Sequence, residues 1–291
     1  MILLDHAPYT PFAHPRWAHP PGLTALAMDE WIVVHDDYSA QMDYRAEILD
    51  RHRGVVLAEQ PSARSATEEL FDAVLDNLDQ RPDFQVSEDH AIRPDTAKVA
   101  LDRGRPLETL NNLVAEDWCV MQRHEDEDEY RLTAAILCFP SRWLLSEKIG
   151  HPLTMIHDPV PHYDDKLARR VNRVFDVLSP EKPLVRCNWL VHGDPELHRP
   201  LGRFQKDHTR EEPVHGLFLR TERQTLVRLP KTDAVVFGIK TSVTPLDRLT
   251  RDASVALLAE LEALAQETLD YSERGDVFTS AVEDLRMRVA P

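Results

Sequence analysis

Apolar residues recur at helical spacing in several parts of the chain. The clearest stripe consists of five residues: Leu70, Phe71, Val74, Leu75 and Leu78. It predicts a helix over 64–78, and Ser65 followed by Glu68 has the spacing of a capping box at its start. Weaker patterns of the same kind predict helices in four further segments and in the C-terminal tail: 40–60, 106–117, 164–178 and 251–271.

Other segments have the short apolar runs of strands. Residues 118–123 and 130–139 flank the acidic stretch HEDEDE at 124–129, which predicts a hairpin with a solvated tip that binds no metal. Three more strands are predicted in succession, over 184–192, 216–230 and 233–243. Because these strands follow one another without helical crossovers, the sequence predicts an antiparallel sheet and an α+β fold.

The N-terminal segment is rich in proline, histidine and aromatic residues. Proline fixes φ and removes a backbone donor, so we expect residues 1–25 to form an extended arm that wraps the domain. No repeat or linker divides the remainder. Residues 26–291 are therefore predicted to form a single α+β domain.

The net charge and the amino-acid composition limit the kinds of partner and the compartment that we expect. The 291 residues carry a net charge of −16, so nucleic acid is excluded as an expected partner. The charge serves solubility, and it also suits a cationic substrate or a basic partner protein. No apolar run approaches the roughly 20 residues of a membrane helix, and three sparse cysteines fit a reducing compartment. We expect a cytoplasmic protein without a membrane segment.

Several familiar motifs are absent from the sequence. None of the nine glycines forms a phosphate-binding loop, and there is no HExxH, GxSxG or kinase signature. The three cysteines, Cys119, Cys138 and Cys187, form no CxxC pair and lie in apolar stretches, where we expect them to be buried and inert.

The first candidate for chemistry is the proline-rich loop GHPLTMIHDPVPHY at 150–163. It contains His151, His157 and His162, and its prolines restrict the backbone, so an imidazole could be aimed at a metal or haem iron. The alternative is a surface loop with three solvated histidines. His192 and His198 are further ligand candidates, although their loop composition favours surface positions.

The second candidate is the charged strand 217–229. Alternation places Arg220, Glu222, Gln224 and Arg228 on one side and Arg223 on the other. A strand with charged side chains on both sides is hard to bury. It must lie at the edge of the sheet, line a pocket with its charges, or pair them in a ladder of ion pairs.

A third candidate is the segment Arg186-Cys187-Asn188-Trp189. Alternation puts Asn188 and Trp189 on opposite sides of a predicted strand. Trp189 is expected in the core, and Asn188 could donate a hydrogen bond into a cavity.

Taken together, five stretches resemble one known family. They are DEWIVVHDDY (29–38), CFPSRW (138–143), SEKIGHPLTMIHDPVPHY (146–163), RCNWLV (186–191) and LRTERQTLVRLPKTDAVVFGIKTSVTPL (219–246). Their order and spacing are similar to those of the haem-dependent oxidative N-demethylase-like proteins over nearly the whole chain. The combination of IHxPVPxY with RxERQTLxRLP is the specific part of this resemblance.

The resemblance implies a PAS-like antiparallel sheet with flanking helices, helical N- and C-terminal additions and a bound haem b. It implies an oxygen-dependent monooxygenase that demethylates dimethylamine or a similar small amine. Electrons would come from NADPH through a separate reductase that carries FMN and an iron–sulfur cluster. The alternatives are a haem-binding PAS-type sensor or carrier without turnover, and a haem-free scaffold subunit.

The resemblance also implies roles for single residues. His157 would be the proximal iron ligand, with His151, His162 and His192 as competitors. Glu222 would hold a protonated amine. Arg223 or Arg220 would pair with a haem propionate or steady bound dioxygen, and Asn188 would contact the cofactor. Because strand alternation separates Glu222 from Arg223, at most one of the two is expected to be catalytic, and Glu222 is favoured.

Overall fold

A large sheet forms the centre of the structure, a computed structural model that describes residues 1–18, 22–123, 127–157, 165–201, 216–263 and 275–290. The strands are β1 (Thr24–Ala25), β2 (Leu57–Glu59), β3 (Gln85–Val86), β4 (His90–Ile92), β5 (Lys98–Ala100), β6 (Glu116–Gln122), β7 (Arg131–Ile136), β8 (Leu184–His192), β9 (Phe218–Arg228) and β10 (Val235–Pro245). The helices are α1 (Tyr38–Val56), α2 (Arg64–Asp79), α3 (Pro106–Leu113), α4 (Leu153–His157), α5 (Asp165–Val177), α6 (Arg251–Ala263) and α7 (Gly275–Val289).

Seven strands pair in the order β1-β8-β9-β10-β6-β7-β2, and β3-β4-β5 form a separate small sheet. Every pairing between these described strands is antiparallel. The α+β class and the antiparallel sheet are therefore confirmed. None of the described helices has both the length and the apolar character needed to cross a bilayer.

The long strand β9 has a different environment on each side. Its even-numbered residues lie on the side that we call the Glu222 face, and its odd-numbered residues lie on the Arg223 face. On the Arg223 face, apolar strand residues such as Trp118 and Val236 pack with α2 residues such as Leu70. On the Glu222 face, Leu226 joins a cluster with Phe175 from α5.

Several boundaries differ from the sequence prediction. The helix predicted over 106–117 ends at Leu113, because Glu116–Gln122 pair with β7 and β10 in the sheet. The helix predicted over 40–60 ends at Val56, and β2 follows it. Residues 264–271 of the predicted C-terminal helix lie outside the described residues, and α7 accounts for the helical tail.

The predicted capping box is wrong. Helix α2 begins directly after a 3₁₀ turn, and its N-cap residue, Ala63, offers no side-chain hydrogen bond. Glu68 instead accepts a hydrogen bond at 2.6 Å from Arg64 on the helix surface. Trp189 is also not a core residue: it is half-buried and packs edge-to-face on Phe12.

Candidate functional site

Glu222 lies near the middle of β9 with a neighbour bound to each of its carboxylate oxygens. Arg220 donates from Nε to Oε1 at 3.4 Å, and Gln224 donates from Nε2 to Oε2 at 3.2 Å. All three side chains are on the Glu222 face because they occupy alternate positions of one strand. Glu222 is 9% exposed. Its carboxylate is thus fixed in direction while its remaining lone pairs stay available for another donor.

The side chain of Arg220 is held in place by hydrogen bonds to backbone carbonyls from other parts of the fold. Its guanidinium donates to the carbonyl of Phe139 at 2.6 Å and to that of Leu197 at 3.2 Å. The residue is 1% exposed, and burial lowers the pKa of its guanidinium. A buried cation with this many acceptors serves as an anchor for Glu222 and has little capacity for a ligand.

The carbonyl of Phe139 is itself fixed by a buried ion pair. Asp117 accepts the backbone N–H groups of Cys138 at 2.7 Å and Phe139 at 2.8 Å. It also accepts from Arg45 of α1 at 2.7 Å. A continuous set of hydrogen bonds therefore runs from Arg45 through Asp117, Phe139 and Arg220 to Glu222.

Strand β8 brings two more polar side chains to the same face. The register places Asn188 opposite Glu222 and Arg186 opposite Gln224. Both side chains are half-buried. Burial lowers the pKa of Arg186, and the nearby carboxylate of Glu222 opposes that change. The sequence singled out the segment 186–189 but gave Arg186 no role, because the strand register that sets it beside Glu222 cannot be read from local alternation.

Arg223 is not part of this group. It points to the opposite face, where it donates to the carbonyls of Glu30 at 2.6 Å and Trp31 at 3.2 Å. It fastens the segment before α1 to the sheet. The edge position considered for the charged strand is wrong, since β9 lies between β8 and β10.

A second buried polar group on the Arg223 face fastens the same segment. Lys240 donates to Asp37 at 3.2 Å and to Gln41 at 2.9 Å, and Glu116 accepts the backbone N–H of Val33 at 3.0 Å. Burial lowers the pKa of Lys240 and raises that of Glu116. The segment DEWIVVHDDY is thus held by charged residues of the central strands.

The histidine candidates are spread over several positions. His157 is the last residue of α4, and its side chain and the whole of His162 lie outside the described residues. His151 is half-buried just before α4, and His192 is buried at the end of β8. His198 hydrogen-bonds through Nδ1 to the carbonyl of Cys138 at 2.7 Å. Within the described residues, no group of three or more histidine, cysteine or acidic side chains could hold a metal ion.

The start of α4 is fixed by the acidic hairpin. Glu129 accepts from both the backbone N–H and the hydroxyl of Thr154 at 3.1 Å, so it caps the helix that ends at His157. The described part of the tip is therefore more than a solvated turn. Residues 124–126 lie outside the described residues.

The comparison with protein families agrees with the expected resemblance. The family model described as "Haem-dependent oxidative N-demethylase, alpha subunit-like" matches residues 22–281. The match takes in the charged strand β9, the segment that carries Arg186 and Asn188, and helix α4 with His157. The chain belongs to the haem-dependent oxidative N-demethylase alpha subunit-like family.

Proposed function

We propose that this chain is a haem-dependent monooxygenase that removes a methyl group from a small amine, with Glu222 holding the protonated amine. The family supports the reaction type. The assignment of Glu222 rests on its carboxylate, which accepts one hydrogen bond from Arg220 and another from Gln224. A fixed carboxylate that keeps free lone pairs can orient an ammonium group by a charge-assisted hydrogen bond.

The chain offers groups suited to haem. The apolar cluster that includes Phe175 also contains Leu153, and the half-buried Ile156 of α4 packs against it, so apolar side chains adjoin the position of His157 in the chain. His157, at the end of the same helix, is our proposed iron ligand, and a neutral imidazole is a common axial ligand. When bound, haem would supply the reductive activation of dioxygen that oxidation of an N-methyl group requires.

The stoichiometry calls for a partner. One N-methyl group, one dioxygen, two electrons and two protons give the demethylated amine, formaldehyde and water. The three cysteines of this chain are all buried, and burial raises the pKa of each thiol. We therefore assign the electrons to a separate reductase that draws on NADPH through FMN and an iron–sulfur cluster.

Replacement of Glu222 tests this assignment. Glu222→Gln keeps the size of the side chain and an oxygen that can accept the hydrogen bond from Arg220, but it removes the charge. We expect formaldehyde release from dimethylamine, measured with haem and a chemical electron donor, to fall about 10- to 100-fold in kcat/KM. The haem absorption spectrum should be retained. The control is Glu283→Gln on the exposed surface of α7. Equal turnover by wild type and Glu222→Gln would remove Glu222 from the site.

A further inference from the structure

Arg186 is a partly buried cation that is near the carboxylate of Glu222 but is paired with no described residue. It forms no hydrogen bond or ion pair with any residue that the structure describes. By contrast, Arg220 and Arg223 of the neighbouring strand β9 donate to backbone carbonyls. A half-buried guanidinium without acceptors is costly, because its five donors lose water without gaining partners.

Among the described residues, the charges around Glu222 leave an excess of positive charge. Arg220 and Arg186 contribute two positive charges near a single carboxylate, Glu222. Asp117 contributes to the field at Arg220, but it is already paired with Arg45. An amine cation bound to Glu222 would increase the excess further. A negatively charged group beside Arg186 would restore the balance.

The strand register defines the shape of the recognition site. Asn188 follows Arg186 by two residues on β8, so both side chains point to the same face. The residues opposite them on β9, Gln224 and Glu222, carry no positive charge. A planar guanidinium suits a carboxylate because two parallel N–H donors match its two oxygens. The amide of Asn188 could donate a third hydrogen bond.

We propose that Arg186, assisted by Asn188, is a carboxylate-binding site beside Glu222. The carboxylate belongs either to a propionate of haem or to the substrate, which would then be an N-methylated amino acid. The first source rests on the proposed function. The second source does not require bound haem, because both charged groups lie on neighbouring strands of the chain itself.

Two pairs of probes distinguish these sources by changing the ligand and leaving the protein intact. Haem is compared with haem dimethyl ester, which lacks both propionate charges, by absorbance titration. N,N-dimethylglycine is compared with its carboxamide, which keeps the ammonium group, by calorimetry on the haem-free chain. Each pair is measured on wild type, Arg186→Gln, the charge-conserving Arg186→Lys and the exposed control Arg248→Gln.

If haem binds at least about tenfold more tightly than its ester, and Arg186→Gln removes that difference, the propionate is the ligand. If the chain binds N,N-dimethylglycine at least about tenfold more tightly than its carboxamide, and Arg186→Gln removes that difference, the substrate supplies the carboxylate. Arg186→Lys should keep part of either preference. Absence of both preferences in wild type, or their persistence in Arg186→Gln, overturns the inference. Failure of wild type to bind either form of haem would instead contradict the proposed function, and the calorimetric pair would still test Arg186.

Discussion

Glu222 and Arg223 are adjacent in the chain but lie on opposite faces of the central sheet. Glu222 contacts Arg220 and Gln224 on one face, whereas Arg223 binds the carbonyls of Glu30 and Trp31 on the other. Glu222 is therefore a candidate ligand-binding residue, whereas Arg223 holds the segment before α1 against the sheet.

Arg223 is predicted to act on stability. Arg223→Gln should lower the free energy of unfolding by about 2–3 kcal/mol, because the buried carbonyl of Trp31 and the partly buried carbonyl of Glu30 lose a charged donor. Urea unfolding measures this change, with Arg248→Gln as the exposed control. A variant as stable as wild type that nevertheless loses amine turnover would place Arg223 in the site.

Asp117 is predicted to be essential to the geometry around Glu222. It has Arg45 and two backbone N–H groups as donors, and both members of the ion pair are fully buried. Asp117→Asn should cost about 3–5 kcal/mol of unfolding free energy, since Arg45 would keep a buried and unpaired charge.

The matched control for Asp117 is the surface pair of Glu47 and Arg51. Glu47→Gln should change the unfolding free energy by less than about 1 kcal/mol in the same assay. Similar small losses in both variants would mean that the buried pair contributes no more than an exposed one.

Gly238 is predicted to tolerate no side chain. A Cβ there would lie 2.7 Å from Oγ1 of Thr225 and 2.8 Å from the ring of Trp118. Gly238→Ala should therefore destabilise the protein by about 1–3 kcal/mol. Gly54 in α1 has open space around it, so Gly54→Ala should be neutral or stabilising by up to about 1 kcal/mol. Thermal unfolding of the two variants compares them, and equal shifts would argue against the clash.

His35 is predicted to make stability depend on pH. Burial, with help from Lys240 and Arg223, lowers the pKa of His35 to about 4. The unfolded chain takes up this proton near pH 6.5, at the ordinary histidine value, so stability is complete above that pH and falls as the pH decreases towards 4. Tyr9 and Ser242 contact the ring.

The measurement is urea unfolding of wild type and His35→Gln between pH 8 and pH 4. Wild type should lose on the order of 2 kcal/mol more than the variant across the lower part of this range, after allowance for the partial exposure of the ring. The difference between the two proteins at pH 8 serves as the reference. Parallel curves would show that His35 titrates alike in the folded and unfolded chains.

Strand alternation and the order of strands along the chain predicted much of the fold, because both limit how the backbone can be arranged. Alternation in 217–229 separates Glu222 from Arg223 whatever the tertiary structure, and strand succession without crossovers requires an antiparallel sheet. The end of α3 was missed because Val114 and Ala115 continue the apolar pattern of the helix, whereas the strand that follows begins with two buried carboxylates, Glu116 and Asp117. Sheet pairing decides between them.

The site depends more strongly on long-range contacts. The position of Arg186 next to Glu222 follows from the register of β8 with β9, which local sequence does not encode. The anchoring of Arg220 by Phe139 and Leu197 joins residues that are far apart in the chain. The assignment of His157 to iron remains a prediction from the family resemblance.

We propose that this chain binds haem beside a carboxylate that recognises an amine. The most direct test is an absorbance titration of the haem-loaded protein with dimethylamine, carried out on wild type and Glu222→Gln. We expect the same Soret band in both proteins, with an amine-induced spectral change in wild type that Glu222→Gln loses. A protein that takes up no haem, or an equal amine response in both proteins, would contradict it.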